Sequence, residues 1–303
     1  MADWYFRNQQ KQSLQTCPGC RNLVKKGEEF CPFCARRLGP ESGARALLKR
    51  FLSRPDSVTR VILGMMVAMF LVQLAVELLL PDNFREGRGG GLFSFLSVST
   101  NTYIVLGANY NRLVLEGQVW RFVTYCFLHI GLLHILFNSW AMWDLGRLVE
   151  RMWGGVQLFA TFILTGVVGG AASFAWATYV MGAPRLSAGA SGAICGVLGL
   201  LLGAYYKNRY HVGEHLGSQL LRWAVYILVF GLVAGADNSA HIGGMLSGAA
   251  LGYFLPPTRT TNTAARDAKV WRILAIVAVL LLVTAYAFDI MFAARGLMFA
   301  HSR

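Results

Sequence analysis

After its first 57 residues the chain is a succession of long apolar runs separated by short polar or basic stretches. Seven runs have roughly the length that crosses a bilayer, about 20 residues: 58–80, 122–146, 155–180, 187–206, 220–236, 238–255 and 270–294. The pattern predicts seven helices in series. A run as short as 238–255 could instead be a buried soluble helix, but it stands among unmistakable spans and is rich in glycine, as close-packed membrane helices are. Because residues 1–57 are polar and basic, no cleavable signal is expected, and the run beginning at Val58 should remain as an anchor.

Composition agrees with that pattern. Hydrophobic residues make up 55% of 303 and charged residues 14%, which lies outside the usual range of a soluble domain. With the N-terminus inside, the segments 1–60, 147–151, 207–222 and 256–272 carry 21 of the 28 Lys and Arg. The positive-inside rule therefore predicts a cytoplasmic N-terminus and an outer C-terminus. The net charge of +13 reads as topology and contact with anionic headgroups, so no nucleic-acid partner is expected. The expected division is a cytoplasmic unit at 1–38, a basic linker at 39–57, a helical core at 58–255, and a linker with a seventh span at 256–303.

The cytoplasmic unit holds Cys17-Pro18-Gly19-Cys20 and Cys31-Pro32-Phe33-Cys34. Two CxxC knuckles supply four thiolates in two tight turns, which suits a structural, ribbon-like Zn2+ site, and a reducing compartment would keep the thiols unpaired. A redox CxxC and a pair of disulfides are the rival readings. The unit either recruits a cytoplasmic partner or serves as a stable cap. Cys126 and Cys195 read as small core residues. The linker is either solvated or an amphipathic segment on the inner face.

Polar groups inside the spans are where chemistry is expected. Glu77 is placed near the outer end of span one, within reach of the interface. The outer loop 81–121 contains Gly89-Gly90-Gly91 and ends in Trp120-Arg121, which suits an anchor at the headgroups. Span two carries His129, His134 and Asn138, the last two on one face; His129 has helix packing as its bland reading, and metal ligation is a rival for the group. Span four begins at Gly189-Ala190-Ser191-Gly192, where glycines allow backbone to approach a hydroxyl nucleophile and its oxyanion, although small-residue clusters also serve helix packing. Span six carries His241, then Gly244, Gly248 and Gly252; span four matches it with Gly192, Gly196, Gly199 and Gly203, which predicts direct contact between the two. Counted from the cytoplasmic ends, Ser191 and His241 both stand ~22–24 Å up and His134 ~20 Å, in the outer half of a core about 30 Å thick. Asn138, at ~14 Å, would need its side chain directed outward.

Taken together, Trp120-Arg121, His129-x4-His134-x3-Asn138, Gly189-Ala190-Ser191-Gly192 and Ala240-His241-x2-Gly244-x3-Gly248 resemble the rhomboid family of intramembrane serine proteases over about 58–255. The resemblance implies an all-α membrane protein with a six-helix bundle, here followed by one further span, and Glu150-Arg151 with Gly154 resemble an element that stabilises that bundle. It implies Ser191 as nucleophile and His241 as general base, without a third carboxylate and without a catalytic cofactor. His134, Asn138 and the Ser191 N–H would bind the oxyanion. His129, Gly189, Gly192, Trp120 and Arg121 would be accessory, and the loop at Trp120 would help seat the protein in lipid. Cys195 departs from the pattern: four residues after the nucleophile, relatives commonly carry an aromatic that packs on the histidine.

The implied reaction is cleavage of single-span membrane proteins near the outer face, with the substrate entering laterally from the lipid bilayer. The implied location is the bacterial plasma membrane, as a multi-pass protein. Two other readings are a non-catalytic rhomboid-like protein that binds transmembrane helices, and a transporter. The transporter would require midplane ionisable groups or internal repeats, whereas Glu77, Asp144 and Asp289 are placed near span ends.

Overall fold

The computed structural model describes residues 14–17, 19–25, 28, 31–34, 38, 56–79, 96–207, 214–233, 235–255 and 264–301. The chain divides into two compact units, residues 1–54 and 55–303. The basic stretch 39–55 and the run from Gly89 to Phe95 lie outside the described residues.

In the first unit, β1 (Leu14–Thr16) pairs antiparallel with β2 (Leu23–Lys25), with Gln15 opposite Val24. The turn between them is closed at Cys17, whose carbonyl accepts from Arg21 N–H at 2.9 Å and whose N–H donates to Asn22 O at 2.8 Å. Among the described residues Cys17, Val24 and Cys31 are buried together, with Cys20 and Leu38 packed against them.

The second unit is an all-α membrane fold. Its elements in order are α1 (Ser57–Leu79), α2 (Thr100–Val105), β3 (Asn109–Tyr110), α3 (Asn111–Leu115), α4 (Arg121–Thr124), α5 (Leu132–Met152), α6 (Gly155–Ala175), β4 (Leu186–Ser187), α7 (Ser191–Lys207), α8 (Glu214–Val233), α9 (Asn238–Phe254) and α10 (Ala264–His301). Among the described residues α1, α6 with the turn that extends it, and α10 are long and apolar enough to cross a membrane, and the bent pair at 121–152 is a fourth if counted as one span. The run 122–146 is therefore not one helix. Its first part, α4 with the 3-10 turn Tyr125–Phe127, lies at 96° to α5, and residues 128–131 form the break. Average hydropathy hides that corner, because only His129 and Gly131 interrupt the apolar run there.

α7 runs through the middle of the bundle and is buried along nearly its whole length, as its apolar residues all round the helix require. Its closest neighbour is α9. A Cβ added at Gly244, Gly248 or Gly252 would overlap the carbonyl oxygens of Gly192, Gly196 and Leu200, and one at Gly199 or Gly203 would overlap the carbonyls of Met245 and Ala249. Lipid offers no hydrophobic drive between helices, so close packing of this kind is what holds them together. With 17 residues each, α7 and α9 span only ~25 Å of a core about 30 Å thick, which keeps at least one end of each below a membrane surface.

Buried carboxylates pin the surrounding helices. Glu150 of α5 accepts from the N–H groups of Val58 and Thr59, both at 2.9 Å, and from the hydroxyls of Ser57 and Thr59, so one side chain satisfies the first turn of α1. Arg147 donates to Asp56 at 3.1 Å beside it, and Gly154, at φ +113°, turns the chain from α5 into α6. Glu77 does not reach outward as expected. It is 5% exposed and accepts from Ser99 N–H, Ser99 Oγ and Thr102 Oγ1, which ties the start of α2 to the end of α1. Next to it the Tyr103 hydroxyl is pushed up to about 12, chiefly by burial. Replacing Glu150 by Ala strands four donors in the bundle and is expected to cost about 3 kcal/mol; the measurement is thermal unfolding in detergent, where an unchanged Tm would contradict this account.

Candidate active site

Ser191 is the first residue of α7, and the segment leading to it is held from two sides. β4 pairs antiparallel with β3, Ser187 opposite Asn109, and Gly189 N–H donates to Tyr125 O at 3.0 Å. Gly189 stands at φ +142°, and a Cβ there would lie 2.7 Å from Cε1 and 3.0 Å from Nε2 of His134. Both the backbone conformation and the contact require glycine. Gly192 likewise lies against the Tyr125 hydroxyl, 2.9 Å from where its Cβ would be. The hydroxyl of Ser191 thus sits at a helix N-terminus whose first N–H groups are free of intrahelical partners.

His241, 3% exposed in the first turn of α9, brings Nε2 to 2.8 Å from Ser191 Oγ. Its Nδ1 lies 3.0 Å from Asn238 Oδ1, and Asn238 Nδ2 donates to Leu228 O on α8 at 3.1 Å. A backbone carbonyl only accepts, so the amide must present nitrogen to Leu228 and oxygen to the imidazole. Nδ1 therefore carries the proton and Nε2 has its lone pair directed at the serine. Before Asn238, Asp237 caps α9 by accepting from Ala240 N–H, and the hydroxyls of Ser173 and Ser239 hydrogen-bond its carboxylate.

The same reasoning fixes His134. Its Nδ1 accepts from Ile130 N–H at 3.2 Å, so Nε2 bears hydrogen, and that atom lies against Gly189. Asn138 directs its amide back along α5, donating to His134 O at 2.9 Å with one N–H to spare. His134, Asn138, Ser191 and His241 line one hollow of ≈ 270 Å³ with Phe137 and Tyr226. A larger hollow of ≈ 1020 Å³, toward the other end of α7, contains none of them.

His129 does not lie in a span. It occupies the break between α4 and α5, fully buried, with Nδ1 3.2 Å from Phe127 O. Gln73 of α1 holds its backbone on both sides, accepting from His129 N–H at 2.9 Å and donating to its carbonyl at 3.1 Å. Its Nε2 has no hydrogen-bond partner among the described residues, and its ring is 5.3 Å from that of His134.

Arg121 does not extend outward as an anchor at the headgroups would, and Trp120 is half-buried. Arg121 is 4% exposed and donates to the carbonyls of Ile104 and Ala108 at 2.8 and 2.9 Å and to Gln118 Oε1. Trp120 stacks on Phe288 of α10 at 5.5 Å and packs on Phe292. Asp289, placed near a span end by the sequence, is likewise buried on α10 against Gly107, so the pair tie the segment before α4 to the last helix. Cys195, at 0% exposure, faces the hollow from α7.

In the first unit, the four sulfurs of Cys17, Cys20, Cys31 and Cys34 lie within 4.8 Å of one another. The Cys17–Cys34 and Cys20–Cys31 separations are 3.7 and 3.6 Å. A tetrahedral shell with metal–sulfur bonds of about 2.3 Å has edges of about 3.8 Å, whereas a disulfide would need ~2.05 Å. The donor set fits a tetrahedral metal. Cys17 Sγ also accepts from Gly19 N–H at 3.3 Å, and backbone hydrogen bonding, first from Cys20, draws its thiol down to about 6.

Sequence reasoning missed Gln73, Asp237 and Asn238. The run Asp237-Asn238-Ser239 before an apolar stretch is a helix N-terminus signal that could have drawn attention to the last two; Gln73, a polar residue in the middle of the apolar run 58–80, carries the general signal of a buried polar group but not its partner.

Residues 116–258 match the model of the Rhomboid domain. The chain is 40% identical over 153 residues to rhomboid protease GluP of Bacillus subtilis, covering 50% of this chain and 29% of the relative. It is 34% identical over 178 residues to rhomboid protease AarA of Providencia stuartii, covering 51% and 63%. A relative named inactive RHOMBOID-like protein 8, of Arabidopsis thaliana, is 26% identical over 232 residues, covering 71% and 65%. The chain thus spans less than two thirds of each of these relatives.

Gly189→Ala should destabilise the protein by about 2 kcal/mol, combining backbone strain with displacement of His134. At Gly182, where φ is +58° and nothing lies within 4 Å, the same change should cost about half as much. Equal shifts in Tm for the two variants would show that the contact with His134 carries no weight.

Proposed function

We propose that the chain is an intramembrane serine endopeptidase that cleaves single-span membrane proteins within the lipid bilayer, near the outer face. The observation that carries this is the 2.8 Å contact between Ser191 Oγ and His241 Nε2, with the other ring nitrogen already engaged. Similarity to proteins named rhomboid proteases supports it.

In this reading Ser191 attacks a carbonyl of an unwound substrate segment while His241 Nε2 takes the hydroxyl proton. The oxyanion forms beside three donors: the Ser191 N–H, the His134 Nε2–H, and the N–H that Asn138 has left after bonding to His134 O. The imidazolium gives its proton to the leaving amine, and water hydrolyses the acyl-enzyme. Among the described residues no carboxylate hydrogen-bonds the imidazole; Asp237, four residues before it, caps α9 instead. The dyad, these three donors and water supply the groups the reaction needs, so this reading calls on no catalytic cofactor. Residues 58–255 would form the catalytic core of a multi-pass protein of the bacterial plasma membrane, N-terminus inside and C-terminus outside. The four-cysteine unit would hold a structural Zn2+, and either recruit a cytoplasmic partner or cap the chain.

A second reading, a non-catalytic protein that binds transmembrane helices, draws on the relative named inactive, whose alignment covers 71% of this chain. The two readings part on one experiment. A fluorophosphonate probe should label the detergent-solubilised chain, and labelling and cleavage of a single-span substrate should fall at least about 10³-fold in Ser191→Ala and in His241→Ala. Labelling that persists in Ser191→Ala, or a parent chain with neither activity, removes the protease reading. For the first unit, elemental analysis should find about one zinc per chain, lost when Cys20 and Cys31 are both changed to Ser; a metal-free parent that keeps its fold would exclude a structural metal.

A further inference from the structure

Asn238 is the first residue of α9, a position where an amide side chain is ordinarily solvated. Here both of its polar atoms are engaged, Oδ1 with His241 Nδ1 at 3.0 Å and Nδ2 with Leu228 O at 3.1 Å. The second partner belongs to a different helix. α8 comes this close because residue 231 is glycine: a Cβ there would overlap Asn238 Oδ1. The same helix lines the hollow through Trp223, Tyr226, Ile227 and Gly231, together with Phe137 and Trp140 of α5, and the rings of Trp140 and Trp223 lie 5.0 Å apart. Its other side is bare, with Leu221, Val225, Val229 and Leu232 exposed by 49% or more. α8 is therefore both a wall of the reaction chamber and a helix with lipid rather than protein behind it.

We propose that Asn238 is the positioning residue for the general base, and that through Leu228 it makes the base's orientation depend on where α8 sits. The proposal rests on the protease reading above. An amide oxygen at Nδ1 selects the tautomer with a free Nε2, and it holds the ring from the side opposite the serine. The oxygen is itself aimed by the amide's other end. When α8 is seated, Leu228 O fixes the amide and the ring with it; when α8 moves outward, the amide is released and the imidazole can rotate or exchange tautomers. His241 thus has an orienting partner without a carboxylate at Nδ1. Among the described residues, the remaining polar or titratable groups around it are Ser191 and Cys195 on α7, His134 and Asn138 on α5, Tyr226 on α8, and Asp237 on its own helix, and none of these hydrogen-bonds Nδ1.

The test uses the full chain in detergent with a single-span substrate. Asn238→Ala should lower kcat about 10²-fold with KM changed less than about threefold. Asn238→Asp, which keeps an acceptor at Nδ1 but has no N–H for Leu228 O, should recover only part of that loss, and Gly231→Ala, acting from α8, should lower kcat in the same way with His241 and Asn238 intact. Nitrogen-15 spectra of histidine-labelled Ser191→Ala should show His241 as the Nδ1–H tautomer, and a mixture once Asn238→Ala is added. An Asn238→Ala variant with parental kcat, or an unchanged tautomer signal, overturns the positioning role while leaving the protease reading intact. A parent chain without Ser191-dependent cleavage overturns both. Should Asn238→Ala fail to fold, Gly231→Ala and Asn238→Asp decide: normal kcat in the first or no activity in the second counts against the proposal.

Discussion

Backbone contact between α7 and α9 is the constraint from which the rest of the second unit follows. Carbonyls of one helix sit where side chains of the other would be, at Gly192, Gly196 and Leu200 on one side and Gly244, Gly248 and Gly252 on the other. In lipid, such contact replaces the hydrophobic drive that would join two helices in water. It also sets a distance. Two short side chains at the ends of these helices, a serine and a histidine, meet at hydrogen-bond length only because nothing larger than a hydrogen separates the backbones one turn further on.

A second constraint is that polar atoms inside the bundle have few water molecules to turn to, so most of them are satisfied by one another, His129 Nε2 being an exception. Glu150 caps α1, Glu77 caps α2, Asp237 caps α9, and Arg121 collects two carbonyls of the segment that precedes it. Each replaces solvent at a helix end or a loop. The scheme explains why polar residues are concentrated where helices start and where the chain bends, and it gives the 96° corner at residues 128–131 its support, since Gln73 holds His129 at that corner from α1.

Against this background, the sequence was informative where a property is spread along a helix and uninformative where it depends on a partner. Seven apolar runs and a four-residue glycine spacing are periodic signals, and the helices and the α7/α9 seam follow from them. The grouping of Ser191, His134 and His241 was legible as well, because counting residues from the helix ends expected to face the cytoplasm put all three at a similar level. Arg121 and Glu77 look the same in sequence whether they reach headgroups or bond to buried backbone. Only the fold shows that Ile104, Ala108 and Ser99 are beside them. Likewise, nothing apolar distinguishes 122–127 from 132–146, so one run became two helices at right angles.

Cys195 brings these constraints to bear on the dyad. In the family that the sequence resembles, an aromatic at this position packs on the histidine, and a thiol fills far less of that space. The sequence alone suggests a loosely held ring. In the structure the ring is instead held at its edge, with Nδ1 on Asn238 and Nε2 on Ser191, and the helix that carries it has its N-terminus fixed by Asp237. A hydrogen bond at each nitrogen restrains rotation about the ring's axis more directly than a stacked face does, because both bonds are broken by a turn of the imidazole whereas a stacked contact is merely reoriented. The smaller residue at 195 therefore leaves the histidine oriented, provided that Leu228 keeps the Asn238 amide in place.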